Sequence, residues 1–128
     1  MTKKLPKLRN LLICDDIRQE KGNKISLNGI YTNGVFFTKD SGTRTMPQIC
    51  IFAQFDDVEG FEEFTFNVLS PSGEGMVDLD PRTLEPGAGS MLFSTRIVTP
   101  TFDEDGDYVL EFKFDKKSVK HTLRVGSA

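Results

Sequence analysis

Residues 108–114 read YVLEFKF, and this stretch decides the fold class. Tyr108, Leu110, Phe112 and Phe114 alternate with Val109, Glu111 and Lys113, the period of two that belongs to a strand with one face in a core. Residues 64–68 (FTFNV) repeat the pattern with Phe64, Phe66 and Val68. So do residues 119–125 (VKHTLRV), which put Val119, His121, Leu123 and Val125 on one side and Lys120, Thr122 and Arg124 on the other. Residues 49–55 (ICIFAQF) and 91–98 (MLFSTRIV) are denser in apolar residues, as central strands are. Turn residues separate these runs: KGN at 21–23, NG at 28–29 and 33–34, SG at 41–42, PSG at 71–73, PGAG at 86–89 and DG at 105–106. Strands with turn signals every 8–12 residues or so specify a sandwich or barrel. The expectation is an all-β, antiparallel two-layer β-sandwich of seven or eight strands, immunoglobulin-like or C2-like. A turn is expected at 81–86, PRTLEP, and the 38–46 and 80–90 stretches are expected to be the flexible loops.

The N-terminal third is read as a hairpin. With Lys21-Gly22-Asn23 as the loop, paired residues have numbers summing to 44, so Ile17 faces Leu27, Ile13 faces Tyr31 and Asp15 faces Gly29. The apolar residues of both strands then share a face. Asp15 shares it too, beside a glycine with no side chain, and a carboxylate placed there needs hydrogen-bond donors. Asp16 and Arg18 fall on the outer face. The domain is expected to span 10–126, preceded by a basic arm at 1–9.

A chain of 128 residues with 38% hydrophobic and 27% charged side chains builds one core without metal or disulfide staples. No apolar run is long enough for a membrane span, and the charged start, MTKKLPKLRN, lacks the apolar region of a secretion signal. A cytoplasmic protein is expected. The net charge of −3 is unevenly spread. Residues 1–24 carry seven bases against three acids, residues 113–124 five against one, and the middle four against fifteen. An acidic chain whose aromatics sit in strand patterns is a poor nucleic-acid binder, and a membrane-surface role is equally disfavoured. Protein is the expected partner, with the chain a monomer or homodimer. Asp16, Arg18 and Lys24, or the 38–46 loop, are the expected surface. Cys14 and Cys50 lie in separate apolar runs with no C-x-x-C and no Cys/His cluster, and read as two buried thiols in a reducing compartment.

The run ICDDIRQEKGNKISLNGIY, 13–31, resembles the opening of an uncharacterised bacterial and phage family of small β-sandwich domains. Cys14, Asp15, Gly22, Lys24, Ile25, Gly29, Ile30 and Tyr31 carry the resemblance, with Pro47 and the Gly106-Asp107-Tyr108 step as later signposts. Asn23 separates Gly22 from Lys24, where the family pattern has the two adjacent. The resemblance implies a sandwich of no assigned activity and brings no catalytic residues. Separately, Glu104-Asp105-Gly106-Asp107-Tyr108 is similar to the step before a tyrosine corner, in which the Tyr108 hydroxyl would bond back to backbone near its strand start.

Few constellations carry chemistry. His121 is the single histidine. Its parity makes it a core or boundary residue hydrogen-bonded to a neighbour, with a small enzyme built on it as the competing reading. No G-x-S-x-G elbow, phosphate loop or dinucleotide fingerprint accompanies it. Asp103, Asp105 and Asp107 crowd one turn, with Asp78 and Asp80 in a second, so a calcium-dependent or membrane-surface C2-like sandwich is a further alternative. A glycosidase pair is disfavoured in a chain without tryptophan. The reading favoured here is a non-enzymatic binding or accessory module with no cofactor, in which Asp15, Gly29, Tyr108 and His121 are structural.

Overall fold

A computed structural model describes residues 5–38, 44–77 and 79–127. The described chain has no helix and nine strands: β1 (Lys7–Glu20), β2 (Lys24–Ile30), β3 (Val35–Phe37), β4 (Gln48–Asp56), β5 (Glu63–Leu69), β6 (Arg82–Thr83), β7 (Ser90–Val98), β8 (Gly106–Phe114) and β9 (Lys117–Ser127). They form two sheets, ordered β2-β1-β4-β7 and β3-β9-β8-β5-β6. All pairings are antiparallel except β3 with β9. The all-β, sandwich-like architecture therefore holds, with two short strands, β3 and β6, beyond the expected set. β6 replaces the turn expected at 81–86: Phe64 and Glu63 of β5 pair with Arg82 and Thr83.

Alternation explains the core. In β8, Tyr108, Leu110, Phe112 and Phe114 are buried while Lys113 is exposed. Phe64, Phe66 and Val68 of β5 point the same way. From the other sheet come Ile49, Ile51, Ala53 and Phe55 of β4 and Phe93 of β7. The rings interlock. Phe55 sits 5.1 Å from Phe112 and 5.0 Å from Phe114, both edge-on, and Phe64 lies 5.0 Å from Phe93. Offset and edge-on pairs at this spacing contribute about 0.5–1.5 kcal/mol beyond the area they bury.

Three expectations change. Residues 7–9 are not an arm: Lys7 pairs with Asp56 and Leu8 with Phe55, so β1 begins just after Pro6, whose missing N–H fits a strand start. A register shift between Leu8 and Asn10 leaves Arg9 as the extra residue, paired with Asp56 at 3.6 Å. Residues 91–98 are not a central strand but the sheet's edge, because among the described residues β7 has β4 as its only sheet neighbour. Their apolar density has another source. Met91, Phe93 and Ile97 pack on the core, whereas Leu92 and Val98 are exposed. Of the 38–46 loop, residues 39–43 lie outside the described chain, and Thr45 pairs with Thr101.

The hairpin has the expected register. Ile17 pairs with Leu27, Cys14 with Ile30, and the Tyr31 N–H donates to the Ile13 carbonyl at 2.8 Å. Gly22 and Asn23 take φ of 82° and 58° at the turn, a conformation glycine and asparagine tolerate best.

Candidate functional site

Asp15, Gly29 and Tyr31 meet where the hairpin departs from its sheet. Gly29 has φ of 70°, and a Cβ there would collide with the Asp15 carboxylate. The glycine is needed twice over, for its backbone angle and for the space. The Tyr31 hydroxyl donates to Asp15 Oδ1. Burial first, and the Asp15 carboxylate second, push the Tyr31 phenol well above its ordinary value. Asp15 is not a buried carboxylate, however. It is exposed, because β2 is an edge strand and side chains beside it reach solvent despite their inward parity.

The Asp15 carbonyl turns towards the outer side chains of β4. Gln48 Nε2 donates to it at 2.8 Å and the Cys50 thiol at 3.7 Å. Arg96 of β7 reaches across to Asp16 at 2.9 Å, and Arg18 meets the other oxygen of the same carboxylate at 3.1 Å. The two guanidinium groups and Gln48 hold the Asp16 carboxyl below its ordinary range, Arg18 foremost. Ile17 and Ile25 of the hairpin thereby share a cavity of about 200 Å³ with Cys50, Leu92 and Ser94. The hairpin arches over the outer face of its own sheet, and under it Cys14 and Cys50 are direct cross-strand partners, both fully buried. The sequence is compatible with a bridge between two strands, favours two separate buried thiols, and does not give the register that sets them opposite each other. The signal was present in parity: once β1 and β4 are paired, both cysteines fall opposite to the inward Ile13 and Ile51.

His121 keeps its expected parity, opposite Leu110, but it is exposed rather than a core residue. At this point β9 has no outer neighbour among the described residues, since β3 pairs with residues 125–127. A cleft of about 280 Å³ faces it instead, with Ile13, Tyr31, Asn33, Asp107 and Arg124 in the wall. Among the described residues His121 has no hydrogen-bond partner, and Asp107 is paired with Arg124 at 3.6 Å. A second cavity, about 260 Å³, opens between the sheets beside Ile97, Val77, Phe102 and Leu123, and the hydroxyls of Thr99 and Thr101 are its side-chain polar groups among the described residues.

The acidic turn does not gather its carboxylates. Asp105 takes Arg44 at 2.5 Å and Asp107 takes Arg124, while Asp103 stays exposed. Asp78 lies outside the described residues. Among those described, no three His, Cys, Asp or Glu side chains converge to hold a metal ion. Tyr108 is buried, and its hydroxyl donates to the Glu104 carbonyl at 3.0 Å and accepts the Glu104 N–H at 3.2 Å. Burial pushes this phenol up as well.

Comparison of the chain with protein-family models, with curated proteins and with solved structures gives no match. No helix among the described residues is long and apolar enough to cross a membrane.

Proposed function

We propose that this chain is a non-enzymatic β-sandwich binding module whose working surface is the free edge of β7, and that the strand taken up there is β7 of a second copy. One observation carries the reading: β7 is nine residues long and, among the described residues, has no strand on its outer side. The Thr99 N–H donates to Pro47 at 2.9 Å and the Val58 N–H to Gly89 at 3.3 Å. These bonds fix the ladder's phase, so odd-numbered residues of β7 bond to β4. The backbone groups of Ser90, Leu92, Ser94, Arg96 and Val98 face outward. Edges of this length are usually blunted by proline, lysine or a bulge. Here the one charge is Arg96, and Asp16 draws it back.

The edge is also complementary to itself. An antiparallel pair with Thr95 on the two-fold axis sets Leu92 opposite Val98 of the second copy, twice, and Arg96 opposite Ser94. Leu92 and Val98 are 47% and 65% exposed in the single chain. No like charges stand directly opposite; the two Arg96 residues are diagonal neighbours, each held back by its own Asp16. About eight new hydrogen bonds, at about 1 kcal/mol net each, stand against an association cost of about 4–15 kcal/mol, which makes a weak, concentration-dependent dimer.

Supporting context comes from three further features. The Tyr108–Glu104 bonds favour the immunoglobulin-like subtype over the C2-like one. Two unpaired cysteines fit a reducing, cytoplasmic setting. The hairpin motif, in its resemblance to the uncharacterised bacterial and phage family, supports a sandwich of no assigned activity.

Sedimentation velocity across a concentration series tests the proposal. Wild type should shift from monomer to dimer. Ser94→Pro removes an outward N–H without breaking a β4 bond, and Leu92→Lys adds a gatekeeper charge. Both variants should stay monomeric with unchanged circular dichroism. A wild type that stays monomeric at millimolar concentration, or variants that still dimerise, would refute it.

A further inference from the structure

The outer face of the β2-β1-β4-β7 sheet holds a paired thiol site. Cys14 and Cys50 are opposed in the β1–β4 ladder. Opposed residues in an antiparallel ladder have Cα atoms about 4.5–5.5 Å apart, inside the span of about 4.4–6.8 Å that a disulfide bridges. Their thiols donate to consecutive carbonyls of β1, Cys14 to Asp16 at 3.4 Å and Cys50 to Asp15 at 3.7 Å, which brings both sulfurs under the arch of the hairpin.

Both thiols are fully buried, and they differ in what they face. Cys50 contributes to the wall of the 200 Å³ cavity, with Ile17, Leu92, Ser94 and Arg96 around it. Arg96 is the cross-strand partner of Cys50 in the β4–β7 ladder, and the Cys50 sulfur first, with Asp16 after it, raises the arginine above its ordinary value. A cation beside a sulfur is the setting in which a thiolate is accommodated. Cys14 lines none of the cavities described above, and burial, then the neighbouring Cys50, push its thiol up.

We propose that Cys50 and Cys14 form a thiol–disulfide exchange site for small aliphatic disulfides, with Cys50 as the attacking sulfur and Cys14 as the resolving one. Cys50 loses its proton to solvent and its thiolate attacks one sulfur of the small disulfide. A Cys50 mixed disulfide forms and one small thiolate leaves. Cys14 then gives up its proton and attacks the Cys50 sulfur. The Cys14–Cys50 bond forms, the second small thiolate leaves, and the two leaving thiolates take up the two protons. The protein dithiol is oxidised by two electrons and the small disulfide is reduced by two. The site does not depend on the β7 pairing, since Ser94→Pro leaves both thiols and Arg96 in place.

The test uses the reduced full chain and bis(2-hydroxyethyl) disulfide, small enough for the cavity, with samples quenched by alkylation and read by mass and peptide mapping. Wild type should lose both thiols and end lighter by two hydrogens. Cys14→Ser should stop at one adduct, on Cys50. Cys50→Ser should react about tenfold more slowly or not at all, because Cys14 does not line the cavity that admits the disulfide. Arg96→Met should slow adduct formation about threefold, because the cation beside the attacking sulfur is lost. If a cysteine variant fails to fold, the earliest wild-type adduct, mapped to Cys50 or to Cys14, decides instead. Native thiols that react only in denaturant, a first adduct on Cys14, or a wild type that stays a mixed disulfide each overturns the proposal.

Discussion

Replacing Gly29 with alanine tests the hairpin junction, because two separable costs meet there. The first is conformational. At φ of 70° an alanine takes a left-handed backbone, which costs about 1–2 kcal/mol. The second is steric. The new Cβ occupies the place of the Asp15 carboxylate, which must swing away and give up the Tyr31 hydroxyl. A hydrogen bond to a charged group contributes about 1.5–3 kcal/mol, and the exposure of Asp15 puts this one at the low end. Gly29→Ala should therefore destabilise by about 2.5–3.5 kcal/mol. Asp15→Ala alone loses only the hydrogen bond, about 1–1.5 kcal/mol. In the double variant the collision is gone and the hydrogen bond is lost only once. Its cost should fall short of the sum of the single costs by about 1–1.5 kcal/mol. Urea unfolding at neutral pH, followed by circular dichroism with all four proteins at one concentration, supplies the cycle. Strict additivity would show that Gly29 and Asp15 do not share space, and the account of the junction would be wrong.

Tyr108→Phe should cost about 1–3 kcal/mol, since both Glu104 backbone groups lose a partner beside a buried ring. A drop of several degrees in Tm is expected, and an unchanged melt would remove the corner. Tyr31 ionises more readily unfolded than folded. Its stabilising contribution is complete below the ordinary tyrosine value of about 10 and is lost as pH rises through the higher folded value. Alkaline unfolding in wild type should begin above about pH 10, and Tyr31→Phe should shift it upward. Asp16 behaves in the opposite sense, its folded value being depressed. Its contribution is present above the ordinary carboxylate value of about 3.9 and fades as pH falls through the lower folded value. Asp16→Asn should flatten the acid limb of the stability profile there, and an unchanged limb would contradict the Arg18–Asp16–Arg96 arrangement.

Strand identity was legible wherever alternation was strong. Phe64, Phe66, Leu110 and Phe112 announce their inward face, and the hairpin register follows from its loop length and turn residues. What escaped was lateral position. An apolar run such as 91–98 looks the same in the middle of a sheet as at an edge whose outer face is also apolar, so β7 reads as central until its neighbours are known. The same ignorance misplaced Asp15 and His121. Parity gives the face of a strand, but burial also needs cover from neighbours, and among the described residues β2 and the first half of β9 have no strand along their outer edges. Short pairings such as Arg82–Thr83 on β5 carry no periodic signal at all, since two residues cannot alternate. The thiol site was hidden for a related reason. Cys14 and Cys50 meet only after β1, a strand of 14 residues, has paired with β4 in one register.

Amide hydrogen exchange along β7, read residue by residue at low and at high protein concentration, reaches the edge itself. The N–H groups of Met91, Phe93, Thr95 and Ile97 should stay protected throughout, bonded to β4. Those of Leu92, Ser94, Arg96 and Val98 should exchange freely in dilute protein and become protected as concentration rises. Amides of that second set that exchange freely at every concentration would contradict the pairing, and protection of them in the dilute monomer would contradict the free edge.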